Sequence, residues 1–150
     1  MRHSAILTVL ILSFSLAMLG QDAGNNSKAA IEQVLRTQAE AWNRHNLDSF
    51  MTGYWKSPEL TFFSGGEVAS GWQAALDRYR KRYQGEGREM GTLDFSELQI
   101  ETSSPDSAFV RGRWHLTMAD GKTPHGLFTL IFRRFSGGWK IVHDHTSAAD

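Results

Sequence analysis

From residue 92 onward the sequence is a succession of four strand-like runs, 92–102, 107–118, 125–135 and 139–146. The links between them are turn chemistry: Ser103-Ser104-Pro105-Asp106, Ala119-Asp120-Gly121-Lys122 and Ser136-Gly137-Gly138. Four such runs in succession predict an antiparallel meander. A sheet of this kind must cover one face with another layer, so the rest of the chain has to supply one.

The first half of the chain does so. Residues 28–45 place Ile31, Leu35 and Trp42 at helical spacing, and the acid-first pairs Glu32–Arg36 and Glu40–Arg44 lie on other faces. Asn26 or Ser27 offers an N-terminal cap, and Asn46 a left-handed stop. Residues 47–54 read as a second, short helix presenting Phe50, Met51 and Tyr54. After Pro58, residues 59–64 and 67–70 read as a hairpin about Gly65-Gly66. Residues 72–83 read as a helix carrying Trp72, Leu76, Tyr79 and Tyr83 in one stripe. Helices first and a meander after them define an α+β class.

Length and composition bound what this layout can do. At 150 residues the chain is one domain with room for a real core. Acidic and basic residues balance at 16 each, so there is no electrostatic case for nucleic acid or an anionic membrane surface. Absence of cysteine excludes disulfides, thiolate catalysis and Cys-based zinc sites. The basic run Arg78 to Arg82 falls on a helix whose tyrosines point to the core, with Asp77 placed to pair with Lys81, and reads as a solvated face.

Residues 1–20 read as a signal peptide: Arg2 and His3 ahead of an apolar stretch too short to span a bilayer, then Gly20-Gln21 as a cleavage point. The competing reading is a retained anchor. With cleavage the mature protein is exported, periplasmic or secreted, and has no membrane association; residues 21–27 form a flexible leader and 148–150 a tail.

The closing run, Gly137-Gly138-Trp139-Lys140-Ile141-Val142-His143-Asp144-His145-Thr146-Ser147, carries the most chemistry. Strict alternation puts Trp139, Ile141, His143 and His145 on one face and Asp144 on the other. The two imidazoles are candidate general bases near neutral pH; the bland alternative is hydrogen-bonded histidines at a sheet end or subunit contact. A shared, partly buried face would hold their pKa values below the ordinary histidine value. No metal site is expected, since neither a His-x-x-x-His pair nor a carboxylate triad supports one.

Taken in order, Ala39-Glu40-Ala41-Trp42-Asn43, Phe62-Phe63-Ser64-Gly65-Gly66, the Trp72 helix, the run from Gly126 to Arg134 and the closing segment are similar to the SnoaL-like part of the nuclear transport factor 2-like superfamily, in its exported bacterial branch. The resemblance covers residues 28–147. It implies a cone-shaped, cystatin-like roll: N-terminal helices on a strongly bent, mainly antiparallel sheet, with a pocket between them and frequent dimerisation. Members include isomerases, dehydratases and binding proteins, so the resemblance implies a pocket and leaves the reaction open.

Five Trp, nine Phe and three Tyr suit an aromatic-lined cavity, expected at about 300 Å³ or more, although they could equally fill a curved sheet. The candidate wall residues are Trp42, Tyr54, Trp55, Phe62, Trp72, Tyr79, Trp114 and Phe128, and Arg113 and His115 would join them if their strand face turned inward. The leading expectation is a homodimeric domain that binds a small, mainly apolar molecule without a cofactor. A cofactor-independent proton-transfer enzyme using His143 or His145 is the alternative, and a pure homo-oligomerisation domain the third. No nucleophile elbow or phosphate-cradling loop supports other classes.

Overall fold

A computed structural model describes the backbone of residues 4–149 and the side chains of residues 24–149. Helix α1 (Ser4–Asn43) leads into a short α2 (Leu47–Phe50) and a 3-10 turn, Met51–Gly53. Strands β1 (Thr61–Ser64) and β2 (Glu67–Ser70) precede α3 (Trp72–Tyr83). Then follow β3 (Thr92–Ser104), β4 (Ser107–Thr117), β5 (His125–Phe135) and β6 (Gly138–Thr146). They form one mixed sheet in the order β2-β1-β6-β5-β4-β3, with the helices on one side, an α+β cone. The meander β3 to β6 is antiparallel throughout, as the turn-rich links require. The exception lies at β1, which pairs with β6 in parallel and carries β2 on its outer edge.

Two local expectations change. The helix runs without a break through residues 21–27, where a leader and a cap were expected. No proline interrupts it, and Gly20 and Gly24 cost only about 1 kcal/mol each in a helix interior. The expected targeting segment, residues 1–20, lies outside the residues whose side chains are described. At the other end of α1 the left-handed residue is His45, with φ of 58°. Asn46 is instead the cap of α2, its side chain accepting from the Ser49 amide at 2.9 Å.

The helical layer is pinned to the sheet by side-chain amides. Asn43 accepts from the Leu93 amide at 2.7 Å and donates to its carbonyl at 3.1 Å, tying the end of α1 to the start of β3. Gln38, buried in α1, donates to the Phe50 carbonyl at 3.1 Å. Between these layers Ile31, Leu35, Met51, Leu60, Val110, Phe132 and Ile141 form the fully buried centre. Trp55 stacks on Phe135 with ring centroids 5.3 Å apart, and Trp72 donates to the Met51 carbonyl at 3.0 Å. Both are partly exposed flanking aromatics.

One register shift matters for everything that follows. Ile131 pairs with His143 but its neighbour Phe132 pairs with Ile141, so Val142 is an extra residue in β6. This β-bulge resets the alternation. Trp139 and Ile141 point inward, and beyond the bulge the inward positions are Asp144 and Thr146 rather than His143 and His145.

Candidate functional site

A cavity opens between α1, α3 and the concave face of the sheet. Of the residues expected on its wall, Trp42, Tyr54, Phe62, Tyr79, Trp114 and Phe128 line it. Helix α3 supplies Tyr79 and Tyr83 because both continue its apolar stripe, one turn apart. Tyr79 packs edge-on to Phe50 and Trp42 and tilts against Phe62, with centroids 5.2, 6.0 and 5.4 Å away. This aromatic cluster fills much of the cone. The remaining cavity is about 90 Å³, well below the roughly 300 Å³ expected. At the liquid's share of roughly 30 Å³ per molecule it has room for about three waters, the space of a single small ring or a short alkyl chain.

The polar centre of this cavity is Asp144, only 3% exposed. Tyr54 Oη donates to its Oδ2 at 2.7 Å, and Thr146 Oγ1 donates to its Oδ1 at 2.7 Å. The Tyr54 and Tyr79 hydroxyls lie 3.2 Å apart. Because Tyr54 spends its proton on the carboxylate, Tyr79 donates to Tyr54, giving a relay Tyr79 to Tyr54 to Asp144. Burial raises the Asp144 pKa to about 6, and the hydrogen bonds from Thr146 and Tyr54 oppose that rise. Burial, reinforced by the Asp144 charge, likewise holds both tyrosines well above their ordinary value. The result is a carboxyl poised near neutrality at the end of a chain of two tyrosines that stay protonated.

The histidines lie elsewhere. His143 and His145 face the outer side of the sheet, flanking Phe63 with ring centroids 4.9 and 6.0 Å from it. His143 Nδ1 is 2.6 Å from Thr61 Oγ1. Partial burial, then the neighbouring His145, lowers the His143 pKa. Neither ring reaches the cavity, because the Val142 bulge turned the strand over. Arg113 and His115 also point outward: Arg113 Nε donates to Glu97 at 2.8 Å, and the His115 ring is 6.3 Å from that of His125. Arg113 and His115, candidate pocket residues on sequence grounds, are therefore not on the cavity wall, because this strand face turns away from it. Trp55 and Trp72 are off the wall for the packing reasons given above.

Strict alternation hid Asp144, and the bulge gives no signal in the sequence. An acidic side chain in a central strand, set between two histidines, was the one available hint. Arg78 and Arg82 were likewise placed on a solvated face, yet both line the cavity. Asp77, expected to pair with Lys81, accepts instead from Gln73 at 2.9 Å. Among the described residues no three His, Cys, Asp or Glu side chains converge as metal ligands. Nor does any buried side-chain nitrogen or oxygen among them lack a hydrogen-bond partner.

A cone of helices laid on a bent six-stranded sheet is the fold of nuclear transport factor 2-like proteins. The model of the SnoaL-like domain matches residues 31–150, and the chain belongs to that family. It is similar to an NTF-2 like protein of unknown function from Shewanella oneidensis MR-1, with 38% identity and a TM-score of 0.74 over 80% of this chain and 98% of the other. An NTF2-like superfamily protein from Salmonella enterica serovar Typhimurium LT2 shares 20% identity at a TM-score of 0.70, covering 84% and 93%. A protein with a cystatin-like fold from Nostoc punctiforme PCC 73102 shares 10% identity at a TM-score of 0.69, covering 81% and 90%. The last two likenesses speak for the fold alone. No curated protein matches the chain.

Proposed function

We propose that the chain binds a small, mainly apolar molecule in this cavity and that Asp144 recognises its polar group. The observation that carries this reading is a single buried carboxyl, held by Tyr54 and Thr146, in a mainly aromatic and aliphatic wall. Such a wall favours an apolar body by desolvation, while the buried carboxyl orients it. The modest volume restricts the buried part to one ring or a short chain. Native mass spectrometry of protein purified from its own host, searching for a retained small molecule, tests this. Protein that is always empty, and that binds no member of a library of single-ring and short-chain compounds, would refute it.

A second reading is favoured by the same acid. A carboxyl with a pKa of about 6 exchanges a proton readily at neutral pH, and a tyrosine held well above its ordinary value remains a hydrogen-bond donor. Asp144 as general acid–base, with Tyr79 and Tyr54 as donors, would suit cofactor-independent isomerisation or dehydration. The alternative with His143 or His145 as base is abandoned, since both imidazoles lie on the outer face. Turnover abolished in Asp144→Asn, with ligand affinity retained, distinguishes enzyme from binding protein.

Two companion proposals concern the whole molecule. The outer face of β5 leaves Leu127 51% and Ile131 37% exposed, which suits a two-fold contact of the sheet with itself. Analytical ultracentrifugation at micromolar concentration should give a homodimer. Residues 1–20 are proposed to direct export, and N-terminal sequencing of the mature protein from the host envelope tests that.

A further inference from the structure

The cavity opens onto a second, wider depression in the surface, and the two share Arg78, Arg82 and Tyr83 as wall residues. This outer groove is polar and basic: five of its lining side chains are Lys or Arg, and three are Asp or Glu. Internal pairing removes part of that charge, since Arg78 is engaged by Glu67 and Lys122 by Asp120. Lys81, Arg82 and Arg88 have no ion-pair partner among the described residues. The third acid, Glu89, accepts from the Ala119 amide at 2.9 Å and thereby joins the two loops that border the groove. Arg78 also donates to the Ser64 carbonyl at 3.2 Å and covers the Phe62 ring at 5.6 Å, so its position at the rim is built rather than free.

An apolar cavity with a carboxyl inside and unpaired cations outside its mouth has a direction. An anionic group is repelled by Asp144 when that acid is ionised, and attracted by Arg82 and its neighbours. We propose that the ligand is a small amphiphilic carboxylate: its ring or short chain lies in the cavity and ends in the polar group that Asp144 recognises, and its carboxylate lies in the basic groove against Arg82. This rests on the cavity being a binding site and specifies the chemical class it takes. A guanidinium at the rim can hold a carboxylate through two parallel hydrogen bonds, with Lys81 and Arg88 adding long-range attraction that salt screens.

The test uses 3-(4-hydroxyphenyl)propionate, 6-hydroxyhexanoate, their methyl esters, and acetate as the head group alone, titrated by calorimetry and by tryptophan fluorescence. The expected result is that both acids bind about tenfold more tightly than their esters, and that this margin shrinks severalfold at high salt. Acetate should bind far more weakly than either acid. Arg82→Gln/Arg88→Gln should remove the margin by weakening the acids, and Arg88→Gln alone, away from the cavity wall, should shrink it while ester affinity stays unchanged. Acid and ester binding alike would overturn the carboxylate assignment and leave the pocket reading standing. Acetate binding as well as the longer acids would also overturn it, by reducing the site to a surface cation patch. Esters and acids that both fail to bind would overturn the assignment and count against the pocket itself.

Discussion

Tyr54 and Asp144, 90 residues apart in sequence, meet in a 2.7 Å hydrogen bond inside the cone. One comes from the end of the 3-10 turn that closes the helical layer and the other from the last strand. Their contact therefore exists only when helices and sheet are docked, which couples the cavity's chemistry to the stability of the fold.

The buried acid predicts an unusual pH dependence. Folding raises the Asp144 pKa from 3.8 to about 6, so the folded state holds this proton more tightly than the unfolded chain. That contribution to stability is complete below the unfolded value and is lost as pH rises through the folded one. Relative to Asp144→Asn, the wild type should lose roughly 3 kcal/mol between about pH 4 and pH 7. Urea unfolding of both proteins across that range measures the difference. Parallel curves would mean that the carboxyl is solvated.

Removing the phenol should sharpen the same effect. The hydrogen bond from Tyr54 lowers the Asp144 pKa, so Tyr54→Phe should raise it further above about 6. The variant should also lose about 2 kcal/mol of stability at neutral pH, where the acid is mostly ionised and the bond is one to a charged group. Carboxyl carbon NMR titration reads the first change directly, and denaturant unfolding the second.

His143 should act in the opposite direction and weakly. Its pKa is lowered on folding, by partial burial and then by His145, so its contribution is present above the unfolded value of 6.5 and lost as pH falls through the folded one. Because the ring is only partly buried and the shift is small, His143→Gln should flatten the acid limb by no more than a few tenths of a kcal/mol. The same substitution should leave ligand binding unchanged, since the ring lies on the outer face. A large loss of binding would place it in the site after all.

Gly126 predicts a purely steric failure. A Cβ there would come within 1.9 Å of the Ser147 carbonyl oxygen and 2.8 Å of Trp114 Nε1. That carbonyl accepts from Trp114 at 2.9 Å, while the Ser147 and Ala149 amides donate back to the Leu127 and His125 carbonyls at 2.9 Å. Gly126→Ala should cost about 1–3 kcal/mol, release residues 147–149 from β5 and redden Trp114 emission. Amide exchange at Ser147 and Ala149 is the local readout.

The layers of this fold were legible because they rest on periodicity. The helix stripe of Leu76, Tyr79 and Tyr83 and the four meander strands lie within a residue or two of their expected bounds. Most of the aromatic wall was legible too, since large apolar side chains in a small cone have few other places to go. The polar centre was not. Whether Asp144 or His143 faces inward is a question of counting, and a single unpaired residue changes the count without changing composition or pattern. The left-handed position fell at His45 rather than Asn46 for a similar reason, a shift of one residue that propensity cannot resolve.

The Val142 bulge also divides β6 into two stretches with independent substitution rules. Before it, positions 139 and 141 place large apolar side chains that seal the core; after it, positions 144 and 146 place the polar pair that faces the cavity. Apolar packing and polar chemistry thus share one strand without sharing one alternation. Relatives compared along this strand need to be counted from its C-terminal end, where a shift of one place exchanges the buried acid for an exposed imidazole.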